Sequence, residues 1–314
     1  MGDKLSRFPG YRRIEGYRFL RSDGKPNYTN RVYRVEKDME LLATRPPVVA
    51  QPTTPIIEAI ERMYEKDVRS LVVVTGSEFY DGMLLAEHII SYLGGGELHD
   101  IVVNRYDDDI YKSMNEQLKA IMEREYPHAL TTDSLPNVIT LMFDKDLSLL
   151  PVLTRDKRVY GVISEHDIVE LLSEKHTGVK AEEIMSSSIV SVESMDPLLS
   201  ALRVMSRTGL RRVFVRNEAG QIIGVINARM IIEYYGSHKA YNYVKKGFLT
   251  ETVSIPVRDL MRYHVVRVDP KDDLGEVASK MLSENVGAVI VSSGESDIGM
   301  ITEHDVFYAL AVPI

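Results

Sequence analysis

Two stretches of the sequence carry the same set of hydrogen-bonding side chains. GVISEHDIV begins at Gly161 and GMITEHDVF begins at Gly299, and each places a hydroxyl residue three positions before an aspartate. A hydroxyl followed by an acid at this spacing is typical of the capping box at a helix N-terminus. The same carboxylate could accept hydrogen bonds from two hydroxyl groups of a bound molecule. The pattern therefore predicts a structural cap or a binding site, placed twice in one chain.

Metal binding and covalent catalysis are not favoured by these residues. Each Glu-His-Asp triplet supplies few ligands, and adjacent residues face different directions on a helix. The chain has no cysteine, which excludes disulfides, thiol nucleophiles and thiolate metal sites. The sequence contains no recognisable combination of a nucleophile with a general base and a general acid, and no recognised spacing of metal ligands. We therefore expect neither an enzyme nor a metal site.

The elements that carry the two stretches recur four times. Each unit is a short strand, an amphipathic helix, a hairpin whose second strand contains a glycine, and a closing helix. The glycines are Gly82, Gly161, Gly224 and Gly299, at intervals of 79, 63 and 75 residues. Long, short and long intervals indicate that a two-repeat module was itself duplicated. We predict an α+β protein of four β-α-β-β-α repeats, with modules at residues 39–177 and 178–314. One extra amphipathic helix is predicted between repeats 1 and 2, with the acidic run 107–109 as its first turn and with Ile110, Met114, Leu118 and Ile121 as its apolar positions.

Four such units in register resemble the cystathionine-β-synthase (CBS) domain, whose tandem pairs are called Bateman modules. The resemblance covers about residues 39–314. The order of the four repeats is similar to that in the gamma subunit of AMP-activated protein kinase and in stand-alone archaeal CBS proteins. It implies clefts that hold AMP, ADP, ATP or S-adenosylmethionine as a regulatory ligand, with no catalytic cofactor. The aspartate would bind the ribose, the neighbouring hydroxyl would contact ribose or phosphate, and the first strand would line the adenine pocket.

Carried over by position, the resemblance implies two ligand sites, each combining residues from two repeats. One site would use Asp167, Ser164 and Thr131 with Arg69, and the other would use Asp305 and Thr302 with Arg211 and Arg212. The arginines lie where the family often has cations at the second strand. We assign Arg267 to the position in repeat 4 that Thr131 occupies in repeat 2.

The uneven distribution of the aspartate favours binding over capping. A cap would be equally useful in all four repeats, yet repeat 1 has Leu85 and His88 at the hydroxyl and aspartate positions, and repeat 3 has Asn227 and Met230. Repeats 2 and 4 keep the aspartate and lack the arginines, while repeats 1 and 3 show the reverse. A site shared within each consecutive pair would unite the two charges.

The first 38 residues differ in charge from the rest of the chain. They hold ten Lys or Arg and five acids, a net charge of +5, which leaves −13 for the remainder. Tyrosines are interleaved with these basic residues. We favour an arm that packs on the acidic body; contact with nucleic acid, which can combine charge and stacking, and docking of a partner stay open.

Together these observations predict a non-catalytic regulatory sensor in the cytoplasm that signals ligand occupancy to a protein partner or through a homodimer. The overall charge of −8 argues against a general nucleic-acid binder. No apolar run approaches the roughly 20 residues that span a bilayer, so membrane insertion is not expected. The alternative is a structural or scaffolding CBS protein whose clefts have degenerated.

Overall fold

The four predicted repeats are present in the computed structural model, which describes residues 38–76, 78–170, 173 and 176–310. Each repeat builds one three-stranded sheet with helices beside it, so the predicted α+β class is confirmed. The basic arm predicted over residues 1–38 lies outside the described residues except for Asp38, with which the first helix begins.

The order of elements is the same in all four repeats. Repeat 1 contains β1 (Val49–Ala50), α2 (Ile56–Glu65), β2 (Ser70–Thr75), β3 (Phe79–Leu85) and α3 (Ala86–Ile90). Repeat 2 contains β4 (Ala129–Leu130), α6 (Leu135–Lys145), β5 (Leu149–Leu153), β6 (Val159–Ser164) and α7 (Glu165–Glu170). Repeat 3 contains β7 (Ser191–Glu193), α9 (Leu198–Thr208), β8 (Arg212–Arg216), β9 (Ile222–Asn227) and α10 (Ala228–Gly236). Repeat 4 contains β10 (Arg267–Val268), α12 (Leu274–Ser283), β11 (Ala288–Ser293), β12 (Ser296–Thr302) and α13 (Glu303–Leu310).

Short helices lead into or follow these repeats. They are α1 (Asp38–Leu42), α4 (His99–Tyr106), α5 (Ile110–Met114), α8 (Ala181–Ile184) and α11 (Leu249–Thr252). The single extra helix predicted after repeat 1 is instead two helices, α4 and α5, followed by a 3₁₀ turn at 118–120. The acidic run is not the first turn of a helix, as predicted, but the link between two. Asp107 and Asp108 adopt positive φ, which ends α4, and Asp109 caps α5 by accepting the Lys112 N–H.

The sheets share one topology. The short first strand pairs in parallel with the middle strand, and the middle strand pairs antiparallel with the last, as in the order β4-β5-β6. All five residues of β5 are buried, and the central three residues of β8 are buried. Helix α9 buries Leu198, Leu202 and Met205 on one face. The core is therefore built from apolar residues that recur every 3.6 positions in the helices and from continuous apolar runs in the middle strands.

The described chain divides into two compact units. Unit 1 comprises residues 47–126 and 190–264, which are repeats 1 and 3. Unit 2 comprises, among the described residues, 38–46, 127–189 and 265–310, which are repeats 2 and 4. This grouping follows helix packing, since α2 packs on α10 in unit 1 and α7 packs on α13 in unit 2. The predicted division into consecutive modules at 39–177 and 178–314 stays a prediction.

Candidate functional site

The first turn of α13 holds Asp305 in a closed set of hydrogen bonds with Thr302. The Asp305 Oδ2 atom accepts from the backbone N–H and from the hydroxyl of Thr302, both at 2.7 Å. The Thr302 hydroxyl oxygen accepts in turn from the Asp305 N–H at 3.3 Å. The capping box predicted for repeat 4 is therefore confirmed.

The Asp305 carboxyl is only 2% exposed. Burial raises its pKa above the ordinary value for aspartic acid, although the charge of His304 and the bonds from Thr302 act in the opposite direction. The ionised form of this carboxyl is therefore costly in the free protein. A further hydrogen-bond donor, such as a ligand hydroxyl, would favour ionisation.

Repeat 2 repeats this arrangement and adds a third donor. The Asp167 Oδ2 atom accepts from the N–H of Ser164 at 2.7 Å and from its hydroxyl at 2.6 Å. Its other oxygen, Oδ1, accepts from the Thr44 hydroxyl at 3.1 Å. Thr44 lies 123 positions before Asp167 in the chain, so no local sequence pattern places the two side chains together.

The repeated glycine allows a neighbouring peptide to cross the last strand of the sheet. Thr44 forms a two-way backbone bridge with Val162, beside Gly161, and a Cβ atom on Gly161 would lie 2.8 Å from the Thr44 carbonyl oxygen. A Cβ atom on Gly299 would likewise lie 2.8 Å from the carbonyl oxygen of Ser186. Glycine is required because no side chain fits under these peptides. In repeats 1 and 3, a Cβ atom on Gly82 or Gly224 would likewise be too close to the carbonyl oxygen of Glu123 or Arg262, respectively.

The corresponding helices of repeats 1 and 3 begin without an aspartate; Asn227 caps α10, whereas Leu85 gives α3 no side-chain cap. In repeat 1 the Leu85 N–H donates to His88 Nδ1 at 3.3 Å, and His88 holds the pKa of Glu123 below its usual value. In repeat 3 Asn227 accepts the Met230 N–H at 3.0 Å, as expected of an N-cap asparagine. Capping by itself therefore does not require the aspartate that repeats 2 and 4 share.

The structure corrects the assignment of Arg267 to the position of Thr131. Thr131 lies four residues before α6, whereas the residue four positions before α12 is Pro270. Arg267 occupies the register of His128, and its guanidinium binds Asp297 through two hydrogen bonds of 2.9 and 3.0 Å. The parallel pairs Ala129–Val152 and Val268–Val291 establish this register. The first strands of repeats 2 and 4 have two residues each, too few for side-chain alternation to establish their register from the sequence.

The same register identifies Ser194 as the counterpart of Thr131 in repeat 3. The Thr131 N–H donates to the Leu153 carbonyl at 2.9 Å, and the Ser194 N–H donates to the Arg216 carbonyl at 2.8 Å. Counting four residues back from the first apolar residue of each helix would have found Ser194 from the sequence.

The three predicted arginines lie in unit 1, whereas Asp167 and Asp305 lie in unit 2. Arg211 Nε stands 3.9 Å from a Glu87 carboxylate oxygen, and the Arg211 carbonyl accepts the Ala228 N–H. The Arg69 carbonyl similarly accepts the N–H of Ala86, and Arg212 begins β8. Their predicted combination with the two aspartates stays a prediction.

The described residues include no group of three or more His, Asp or Glu side chains arranged to hold a metal ion. Among these residues no helix has both the length and the apolar character needed to cross a membrane.

Known proteins similar to this chain share its four-repeat organisation. A family model of the CBS domain matches residues 37–95, 118–174, 181–237 and 257–312. An uncharacterized 33.4 kDa protein from the ribosomal RNA operon of Thermofilum pendens is 28% identical over 84% of this chain and 88% of its own length. Protein MJ1225 of Methanocaldococcus jannaschii is 25% identical over 85% of this chain and 96% of its own length.

The crystal structure of MJ1225, described as a proposed archaeal homologue of g-AMPK, superposes with a TM-score of 0.80 at 24% identity. The superposition covers 86% of this chain and 98% of the MJ1225 chain. The matched segments contain the four sheets, the four crossing glycines and both Ser/Thr-x-x-Asp turns. The chain belongs to the CBS-domain family and contains four CBS repeats.

Proposed function

We propose that the protein is a non-catalytic regulatory sensor that binds adenosyl ligands at the first turns of α7 and α13. The ligand class is AMP, ADP, ATP or S-adenosylmethionine, as the resemblance to CBS proteins implies. The observation that carries the proposal is the pair of carboxylates, Asp167 and Asp305, each held by a hydroxyl residue three positions earlier. Repeat 3 caps its helix with Asn227, and Leu85 gives the helix of repeat 1 no side-chain cap, so helix capping alone does not account for the two aspartates.

The chemistry of the two carboxylates fits a ribose diol. Within the described part of the chain, the hydrogen bonds to the Asp305 side chain fall on Oδ2, which leaves Oδ1 to accept from a ligand hydroxyl. At Asp167 the exposed Thr44 hydroxyl donates to Oδ1. A ribose hydroxyl could replace this donor or share the oxygen with it.

A phosphorylated ligand would need cations at each site, and its binding would need a way to reach a partner. Arg69 would serve the Asp167 site, and Arg211 with Arg212 would serve the Asp305 site, because anionic phosphates need cations. Ligand binding would alter a protein partner or a homodimer if it favours one of two states of the chain.

A structural or scaffolding role is the second candidate. The bonds between Thr302 and Asp305 complete a helix cap without any ligand, and such a cap stabilises a protein by about 1 kcal/mol. Under this alternative the two aspartates act only on the stability of the fold.

Mass spectrometry of small molecules released from the purified protein would identify a retained ligand. Equilibrium dialysis against AMP, ADP, ATP and S-adenosylmethionine would then measure binding to the wild type and to an Asp167→Ala, Asp305→Ala double variant. Asn227→Ala is the matched control, because it removes a helix cap from a repeat that lacks the aspartate. We expect binding to be lost only in the double variant. Equal binding in all three proteins would favour the structural role.

A further inference from the structure

The two copies of the nine-residue stretch contact each other. In unit 2, His304 Nδ1 of repeat 4 lies 2.5 Å from a carboxylate oxygen of Glu165 in repeat 2. Reciprocally, His166 Nδ1 of repeat 2 lies 3.0 Å from a carboxylate oxygen of Glu303 in repeat 4. Each Glu-His pair thus exchanges its partners with the other copy, as at an interface with two-fold symmetry. We call these four residues the Glu-His exchange.

Both glutamates of the exchange are buried, Glu165 at 1% exposure and Glu303 at 5%. Buried carboxylates are costly unless they are paired and hydrogen-bonded, so the histidines are needed where they lie. His304 also has Nε2 at 3.4 Å from an Asp146 carboxylate oxygen and packs its ring on Tyr308, with the centroids 4.3 Å apart. The exchange therefore connects the first turns of α7 and α13 to the end of α6.

Unit 1 packs the equivalent helices without this exchange. Ala86 and Ala228, both 1% exposed, occupy the positions of Glu165 and Glu303. The ion pair that corresponds to His304 and Asp146 joins Arg229 to Asp67 at 3.1 Å. Two repeats can therefore pack their closing helices on buried alanines, and the buried glutamates of unit 2 are not a requirement of the fold.

The exchange is covalently continuous with the candidate ligand carboxylates. Glu165, His166 and Asp167 are consecutive residues in the first turn of α7, and Glu303, His304 and Asp305 are consecutive in the first turn of α13. A backbone shift that brings either aspartate toward a ligand would also move the neighbouring imidazole and carboxylate. On each helix, the histidine and the glutamate of the exchange contact the opposite helix, and that helix carries the second aspartate.

We propose that the Glu-His exchange couples the Asp167 and Asp305 sites, so that ligand bound at one site changes the affinity of the other. The proposal rests on the proposed function, since it requires ligands at both sites. Coupling of this kind is reciprocal and typically changes affinity by about 5- to 150-fold. It also gives a reason for the repetition of the nine residues, because each copy is the binding partner of the other.

Calorimetric titration with AMP tests the coupling. Asp305→Ala gives the affinity of the Asp167 site alone, and Asp167→Ala gives that of the Asp305 site alone. The coupling factor is the product of the two stepwise binding constants of the wild type divided by the product of these single-site constants. The same three titrations are repeated with Glu165→Ala and Glu303→Ala added to each protein, so that unit 2 has alanine at the positions where unit 1 has Ala86 and Ala228. Arg229→Gln is the control, because it breaks the corresponding contact in unit 1.

We expect a coupling of about 5-fold or more in the wild type and in Arg229→Gln. In the Glu165→Ala, Glu303→Ala background we expect two filled sites whose affinities differ from the single-site values by less than about 2-fold. Two independent sites in the wild type, or an undiminished coupling in the alanine background, would overturn the proposal while leaving the sites themselves intact. Absence of AMP binding, with the other three adenosyl ligands also failing to bind, would overturn the proposed function and the coupling with it. Melting curves establish that each variant is folded.

Discussion

Asp305 should make the stability of the protein fall as pH rises, and Asp305→Asn should remove this dependence. Burial raises the pKa of the folded-state carboxyl above the unfolded value of about 3.9. Between these two pKa values the folded protein binds more protons than the unfolded chain. The stabilising contribution of the protonated carboxyl is therefore fully present below about pH 4 and is lost as pH rises through the folded pKa.

The magnitude follows from the contacts of Asp305. Asparagine keeps an oxygen that accepts from the Thr302 N–H and hydroxyl, but each bond to a neutral acceptor is weaker by about 1 kcal/mol. Removing the cost of a buried charge offsets this loss. We expect Asp305→Asn to change the free energy of unfolding near pH 7 by no more than about 1 kcal/mol.

Urea denaturation followed by circular dichroism measures this effect, because the chain has no tryptophan. The stability of the wild type relative to Asp305→Asn should decrease from about pH 4 upward, with a slope of at most about 1.4 kcal/mol per pH unit. Thr302→Ser keeps both donors and should follow the wild-type profile. A difference between wild type and Asp305→Asn that is constant, or that grows with pH, would refute the assignment of a buried carboxyl with a raised pKa.

Three further predictions follow from particular contacts. Gly299→Ala should destabilise the fold by about 1–3 kcal/mol, because its Cβ would lie 2.8 Å from the Ser186 carbonyl oxygen; an unchanged melting temperature would mean that the crossing peptide moves aside at little cost. Arg267→Ala should cost less than about 1 kcal/mol in urea and alter AMP affinity by less than about 2-fold, since Arg267 forms a partly exposed ion pair with Asp297; a large loss of affinity would restore it to the base pocket. Arg211→Ala should weaken binding of ATP and AMP more than binding of adenosine in dialysis, and equal losses would exclude a phosphate contact.

The repeats could be predicted because their signals are local. In all four, the glycine of the last strand pairs with a buried apolar residue of the middle strand, as Gly161 does with Val152 and Gly299 with Val291. Hairpin, glycine and closing helix lie within a few residues of one another, so spacing alone aligns them. The caps were predicted for the same reason, since Thr302 and Asp305 are three residues apart.

The contacts that build the site are distant in sequence and could not be predicted in this way. Thr44 donates to Asp167 across 123 positions, and His166 reaches Glu303 across 137. Nothing local in the sequence shows that each histidine faces the other copy of its own stretch. The register of the first strands also depends on distant pairing, because β4 and β10 have two residues each and Arg267 lies where repeat 2 has His128.

Calorimetry with an adenine nucleotide on the wild type, Asp167→Ala and Asp305→Ala tests the central claim most directly. The wild type should bind two equivalents, and each variant should lose about one to two decades of affinity at the site whose aspartate is removed, because a charge-assisted hydrogen bond contributes about 1.5–3 kcal/mol. Unchanged nucleotide affinity together with lower melting temperatures in both variants would contradict the claim, and would leave the two aspartates as helix caps alone.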